Sequence, residues 1–170
     1  VKNNEAATVN YYQTKNYRPK SYQTGFFVKL KNVDPIIDLL NVDLLVSDNT
    51  IIEGKFTSGY TSILQAFTTV DSLAYNKSLF TDTEVELTAS KIADSTSVLA
   101  MAFVNSDRQI FSKNLKTKNL LAEAIWNKNH IDFELDAEQD GQTNYEMLKG
   151  AVDFLSDSTQ VRMLPSTIRI

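Results

Sequence analysis

Apolar and polar positions alternate along much of this chain, most regularly in Ile131-Asp132-Phe133-Glu134-Leu135-Asp136-Ala137-Glu138. Successive side chains of a strand point to opposite faces, so this segment has one apolar face and one carboxylate face. It predicts a strand that is wet on one side only. Weaker versions of the pattern predict strands over residues 51–56, 72–75, 83–89, 98–104, 109–113, 120–126, 130–139, 145–155, 159–164 and 167–170. The intervening stretches 47–50, 93–97, 127–129, 140–143 and 156–158 have the Asn, Asp, Ser and Gly composition of turns. Strands at such short intervals joined by polar turns describe an antiparallel meander. The expected fold class is therefore mainly β, as a single β-rich domain over residues 1–170.

One stretch has helical spacing instead. In Asp34-Pro35-Ile36-Ile37-Asp38-Leu39-Leu40-Asn41 the aspartate can cap a first turn and proline suits the first helical position. Ile36, Ile37, Leu39 and Leu40 then form an i, i+1, i+3, i+4 stripe. The spacing predicts a short amphipathic helix over 34–41.

Composition narrows the class without naming an activity. The 170 residues are 42% apolar and 22% charged with a net charge of -4, which describes a folded chain and not a disordered one. The longest apolar run, Val98-Leu99-Ala100-Met101-Ala102-Phe103-Val104, is far short of the about 20 residues that a membrane-spanning helix requires. No apolar stretch follows Lys2, so the early residues do not read as a signal peptide. Absence of cysteine excludes disulfides and thiolate metal sites.

Charge is uneven. Residues 1–31 carry Lys2, Lys15, Arg18, Lys20, Lys29 and Lys31 against Glu5, a net of +5, which leaves -9 on the remainder. Tyr11, Tyr12, Tyr17, Tyr22, Phe26 and Phe27 are interleaved with these basic groups. Such a stretch suits a nucleic-acid or membrane-interface surface, and it equally suits an exposed strand pair with tyrosines on one face and lysines guarding an edge. The acidic pI near 5.0 favours the strand pair and speaks against nucleic acid.

Catalytic chemistry finds little support. His130 stands alone, without a His-Glu-x-x-His context, and no serine sits in a Gly-x-Ser-x-Gly elbow. The five glycines are scattered and form no phosphate cradle. Asp136-Ala137-Glu138-Gln139-Asp140-Gly141 approaches a calcium loop, but Glu138 stands where Asp or Asn is wanted and Met147 where a bidentate Glu is required. Asp132, Glu134, Asp136 and Glu138 lie on one strand face, an arrangement that seldom supplies a glycosidase pair. The expectation is a protein that is not an enzyme, with no cofactor and no metal.

The order of several short phrases carries a resemblance. Gly54-Lys55-Phe56-Thr57-Ser58-Gly59-Tyr60, Val70-Asp71-Ser72-Leu73-Ala74-Tyr75, the stretch from Thr88 to Ala100, Glu123-Ala124-Ile125-Trp126-Asn127, His130-Ile131-Asp132-Phe133 and Leu164-Pro165-Ser166 together resemble the TamB translocation and assembly family of AsmA-like envelope proteins. The likeness covers roughly residues 34–170. It implies a periplasmic segment of a much longer chain, whose inner-membrane anchor lies outside these residues. It implies an elongated, curled antiparallel or mixed sheet forming a half-open apolar groove, the β-taco arrangement, with phospholipid acyl chains as the ligand. Val85, Leu87, Ile131, Phe133, Leu135 and Ala137 would line that groove, and the 34–41 helix would cover one end. The parent would cooperate with an Omp85-type outer-membrane barrel, and exposed strand edges would favour an edge-paired homodimer. Apart from the resemblance, a structural or adhesive β-sandwich with a closed core fits the same strand pattern.

Overall fold

The computed structural model describes residues 20–32, 37, 43–141 and 144–169. These residues form eleven strands: β1 (Tyr22–Lys29), β2 (Leu44–Val46), β3 (Ile51–Ser58), β4 (Thr61–Tyr75), β5 (Ser78–Ile92), β6 (Val98–Ile110), β7 (Lys116–Asn127), β8 (His130–Gln139), β9 (Tyr145–Phe154), β10 (Thr159–Met163) and β11 (Thr167–Arg169). All belong to one sheet, and every pairing is antiparallel, so the mixed sheet that was allowed for is not found. The order β1-β3-β4-β5-β6-β7-β8-β9-β10 is a meander that does not close on itself. β2 and β3 lie end to end along β4, and β10 and β11 lie end to end along β9. The described sheet is thus nine rows wide.

Local chemistry explains the joints. Tight turns connect β4 to β5 and β7 to β8, and Asn76, Lys77 and Lys128 there adopt φ of 46°, 70° and 58°. Left-handed residues let a hairpin reverse without splaying its right-twisted strands. Leu164-Pro165-Ser166 separates β10 from β11, because proline donates no ladder hydrogen bond. That bend is pinned by the Leu164 amide on the Lys149 carbonyl at 2.8 Å and by the Lys149 amide on Ser166 Oγ at 3.2 Å.

The strands run longer than the sequence pattern indicated. The expected strand at 72–75 is the end of the 15-residue β4, and those at 98–104 and 109–113 merge within β6, which ends at Ile110. Alternation fails to announce the first part of β4 because Ile63 and Leu64 place apolar groups on both faces. Of the basic aromatic stretch, residues 22–29 join the sheet as β1, paired with β3, and residues 1–19 lie outside the described residues. The 34–41 helix also lies outside them, apart from Ile37, which has helical backbone.

No second layer covers the sheet among the described residues. Among the described residues Val70 and Ala151 are the only buried apolar side chains, and the most enclosed side chains are Ser106 and Gln109. These belong to a polar knot across β5, β6 and β7. Thr83 donates to Ser106 Oγ (3.1 Å), Ser106 to the Thr81 carbonyl (3.0 Å), Gln109 Nε2 to the Ser106 carbonyl (2.6 Å) and Thr117 to Gln109 Oε1 (2.8 Å). The knot lies beside an interruption of the ladders. Pairing is skipped at Asp71, Asp82 and Asp107, and a bulge follows at residues 119–120. Asp82 and Asn119 have φ of 48° and 52°. Since Asp71, Asp82, Asp107 and Asn119 are in register, the interruption forms a crease through four adjacent strands.

Candidate functional site

Residues directly opposite one another in a ladder share a face, so register sorts the side chains without ambiguity. One rung runs Phe26, Gly54, Ala66, Leu87, Ala102 in β1, β3, β4, β5 and β6. It continues through Ala124, Phe133, Gly150 and Met163 in β7 to β10. The next rung on the same face carries Thr24, Phe56, Leu64, Ala89, Ala100, Trp126, Ile131, Val152 and Val161. On the other side stand Val28, Ile52, Thr68, Val85, Val104, Ala122, Leu135 and Leu148. None of the three rungs holds a charged residue, and Thr24 and Thr68 are their only polar members. With strands 4.7–4.9 Å apart and same-face residues two positions apart, the three rungs cover roughly 800 Å² of sheet. That exceeds the few hundred Å² of contiguous apolar surface that monomers usually expose.

The floor of this face is shaped by small residues. Gly54 and Gly150 each lie directly opposite a phenylalanine, Phe26 and Phe133. A Cβ built on either glycine would fall against the facing ring, and also 2.7 Å from the Gln65 carbonyl at Gly54 and 2.8 Å from the Arg162 carbonyl at Gly150. Glycine is required there so that the rings can lie flat over the neighbouring strand. Trp126 satisfies its one donor locally, Nε1 reaching the Lys128 carbonyl at 2.6 Å, so it adds apolar surface with no unpaired polar atom.

The opposite face differs in arrangement more than in composition. Its central rung reads Phe27, Glu53, Phe67, Glu86, Phe103 and Glu123 in β1, β3, β4, β5, β6 and β7. Carboxylates on adjoining strands separate the phenylalanines along this rung, whose apolar groups are therefore not contiguous with one another. Four depressions of about 200 to 380 Å³ open on this mixed face, lined in part by Glu53, Asp71, Glu86, Glu123, Asp132 and Glu134. Charged linings make them poor seats for an apolar ligand.

The acidic face of β8 is used structurally. Asp132 takes His130 Nε2 at 3.0 Å, Glu134 takes Lys149 Nζ at 2.8 Å, Asp136 accepts from the Tyr145 hydroxyl at 2.8 Å and Glu138 pairs with Lys118 at 3.3 Å. His130 Nδ1 reaches Asp153 Oδ1 at 2.6 Å, and Asp153 Oδ2 holds Arg162 at 2.7 and 3.1 Å. Hydrogen bonds to Asp153 and then Asp132 raise the His130 pKa above its ordinary 6.5. The His130 and Arg162 hydrogen bonds lower that of Asp153 below its ordinary 3.8. Among the described residues no three His, Asp or Glu side chains are grouped so as to hold a metal ion.

Five of the six residues that the sequence nominates, Val85, Leu87, Ile131, Phe133 and Leu135, stand on the three charge-free rungs. Leu87 and Phe133 are bridged there by Ala102 and Ala124, and Val85 and Leu135 by Val104 and Ala122. Ala137 follows on the same side of β8, level with the β7 bulge. Sequence reasoning misses Phe26, Phe56 and Leu64, although Tyr22-Gln23-Thr24-Gly25-Phe26-Phe27-Val28-Lys29 carries a partial alternation that could have found the first. No family model, curated protein or solved structure matches this chain.

Proposed function

We propose that this chain is a segment of a periplasmic lipid conduit of the TamB, AsmA-like kind, in which the sheet curls into a half-open groove and shields phospholipid acyl chains on its apolar face. The observation that carries the reading is the set of three contiguous charge-free rungs, over which no layer lies among the described residues. A surface of that size is unfavourable in water unless something apolar covers it. Small residues along the central rung offer a smooth floor, which suits chains that slide over it better than one rigid ligand.

Energetics fit such a role. Each acyl methylene moved out of water contributes about 0.8 kcal/mol, so a chain of about 16 carbons gains roughly 12 kcal/mol before ordering costs. Extraction from a bilayer loses a similar amount. A groove therefore makes transfer nearly neutral, and no catalytic group is required. The longer parent would supply the inner-membrane anchor and the contact with an Omp85-type barrel.

Native mass spectrometry after incubation with phospholipid vesicles tests the reading. Leu87→Glu places a charge at the middle of the central rung, at a position that is 37% exposed and able to accept it. Bound phospholipid on the wild-type chain, lost in Leu87→Glu while circular dichroism is unchanged, is the expected result. Equal lipid binding by both, or none by either, overturns it.

A further inference from the structure

We infer that β1 is a docking edge for a second copy of this chain, joined in one register about a two-fold axis through Phe26. The two ends of the sheet are not alike. At the far edge β10 and β11 are short and separated by Pro165, and the Arg162 side chain is drawn inward to Asp153. Those are devices that protect an edge. β1 has only one such device, Lys29 at its end, and is otherwise eight unbroken residues with no proline and no other charge.

Its outward groups follow from its inward ones. The Leu30 amide donates to Thr50, so the even-numbered residues of β1 face the β3 ladder. Gln23, Gly25, Phe27 and Lys29 therefore turn their N–H and C=O groups to the outside. Among the described residues nothing pairs with them, apart from the Thr24 hydroxyl that reaches the Gly25 carbonyl at 3.3 Å.

A second β1 running antiparallel must set outward residues against outward residues, and only even-sum registers do so. The one centred on Phe26 places Gln23 opposite Lys29 and Gly25 opposite Phe27 of the other copy, using all four outward residues and forming about eight backbone hydrogen bonds. It repeats a device this sheet already uses twice, a phenylalanine over a glycine. Gly25 has open space where the ring would lie, the nearest atom to an added Cβ being 3.7 Å away. Phe27 is 69% exposed, more than any other large apolar side chain described. Thr24 then opposes Val28, and Phe26 opposes itself, all on the charge-free face. The two apolar faces join on one side of a doubled sheet.

This inference does not rest on lipid binding, and a lipid-free experiment decides it. The chain has no cysteine, so introduced ones report cleanly. Non-hydrogen-bonded pairs bring Cα atoms to about 4.5 Å, within disulfide range. Under mild oxidation Phe26→Cys should cross-link to itself, whereas Thr24→Cys should cross-link only when mixed with Val28→Cys. The mixture keeps Phe26 and so guards against loss of the Phe26–Gly54 pair. Sedimentation should give a wild-type dimer that Phe27→Lys converts to monomer with unchanged circular dichroism. A wild-type monomer at 100-fold the concentration used for cross-linking, a dimer indifferent to Phe27→Lys, or Thr24→Cys cross-linking alone would each overturn the proposal.

Discussion

Phe26 over Gly54 and Phe133 over Gly150 are the two points at which a single methyl group would disturb the charge-free face. Gly150→Ala is expected to cost about 1–3 kcal/mol, the usual range for overpacking, because its Cβ meets the Phe133 ring on one side and the Arg162 carbonyl on the other. Urea unfolding measures the loss. Adding Phe133→Leu should recover part of it, and an additive double mutant would refute a shared cause. None of this was legible in the sequence. Phe133 could be assigned to an apolar face from its own strand, since alternation is local. Its partner at Gly150 could not, because the pairing depends on a register set by the Gln139–Asn144 turn and not by periodicity. The same holds for the Phe and Glu residues of the opposite face, which are 14 to 20 positions apart along much of the chain and adjacent only across strands.

Among the elements, β10 is held to the sheet by a charged tie as well as by its ladder. Arg162 on β10 binds Asp153 on β9, which binds His130 on β8, which binds Asp132. His130 has a raised pKa, so its contribution is complete below 6.5, the ordinary value, and is lost as pH rises through the higher folded value. Asp153 has a lowered pKa, so its contribution is complete above 3.8 and is lost as pH falls through the lower folded value. The tie is therefore strongest between those two ordinary values. Amide protection factors at residues 160–162, with the intrinsic pH dependence of exchange divided out, should be largest in that window and should fall on the alkaline side. Asp153→Asn should return the His130 imidazole resonance toward an ordinary titration, and an unchanged midpoint would sink the account. The sequence identified His130 as the start of a strand and as an improbable metal ligand. The cluster itself joins residues more than 30 positions apart, beyond the reach of local pattern.

At the scale of the whole molecule, the antiparallel meander and turns such as 93–97, 127–129 and 156–158 follow from alternation and turn chemistry, both of which act over a few residues; the strand count does not, since 98–104 and 109–113 merge in β6 and β2 was not expected. The expected sandwich alternative required a second sheet, and the described residues form one. What alternation does not reveal is width. Residues such as Ile63, Leu64, Phe67, Met101, Phe103 and Leu121 make both faces partly apolar and blur the signal of an uncovered sheet. Only after the rungs are assembled does one face prove continuous and the other divided by carboxylates.

Among the described residues each strand of this ladder touches only its lateral neighbours, so stability is passed along a line and not shared through a centre. Such a molecule should melt as a row of hairpins, from its ends inward. Hydrogen exchange of the monomeric Phe27→Lys chain in mild urea should show β1 and β10 opening first and β5 to β7, tied by the Gln109 knot, opening last; one uniform opening rate across all strands would contradict this. Growth is equally linear. A hairpin inserted between existing hairpins would lengthen the sheet by two rows, leave every other contact intact and extend the apolar face by its own width, so the reach of such a protein is set by how many hairpins it contains.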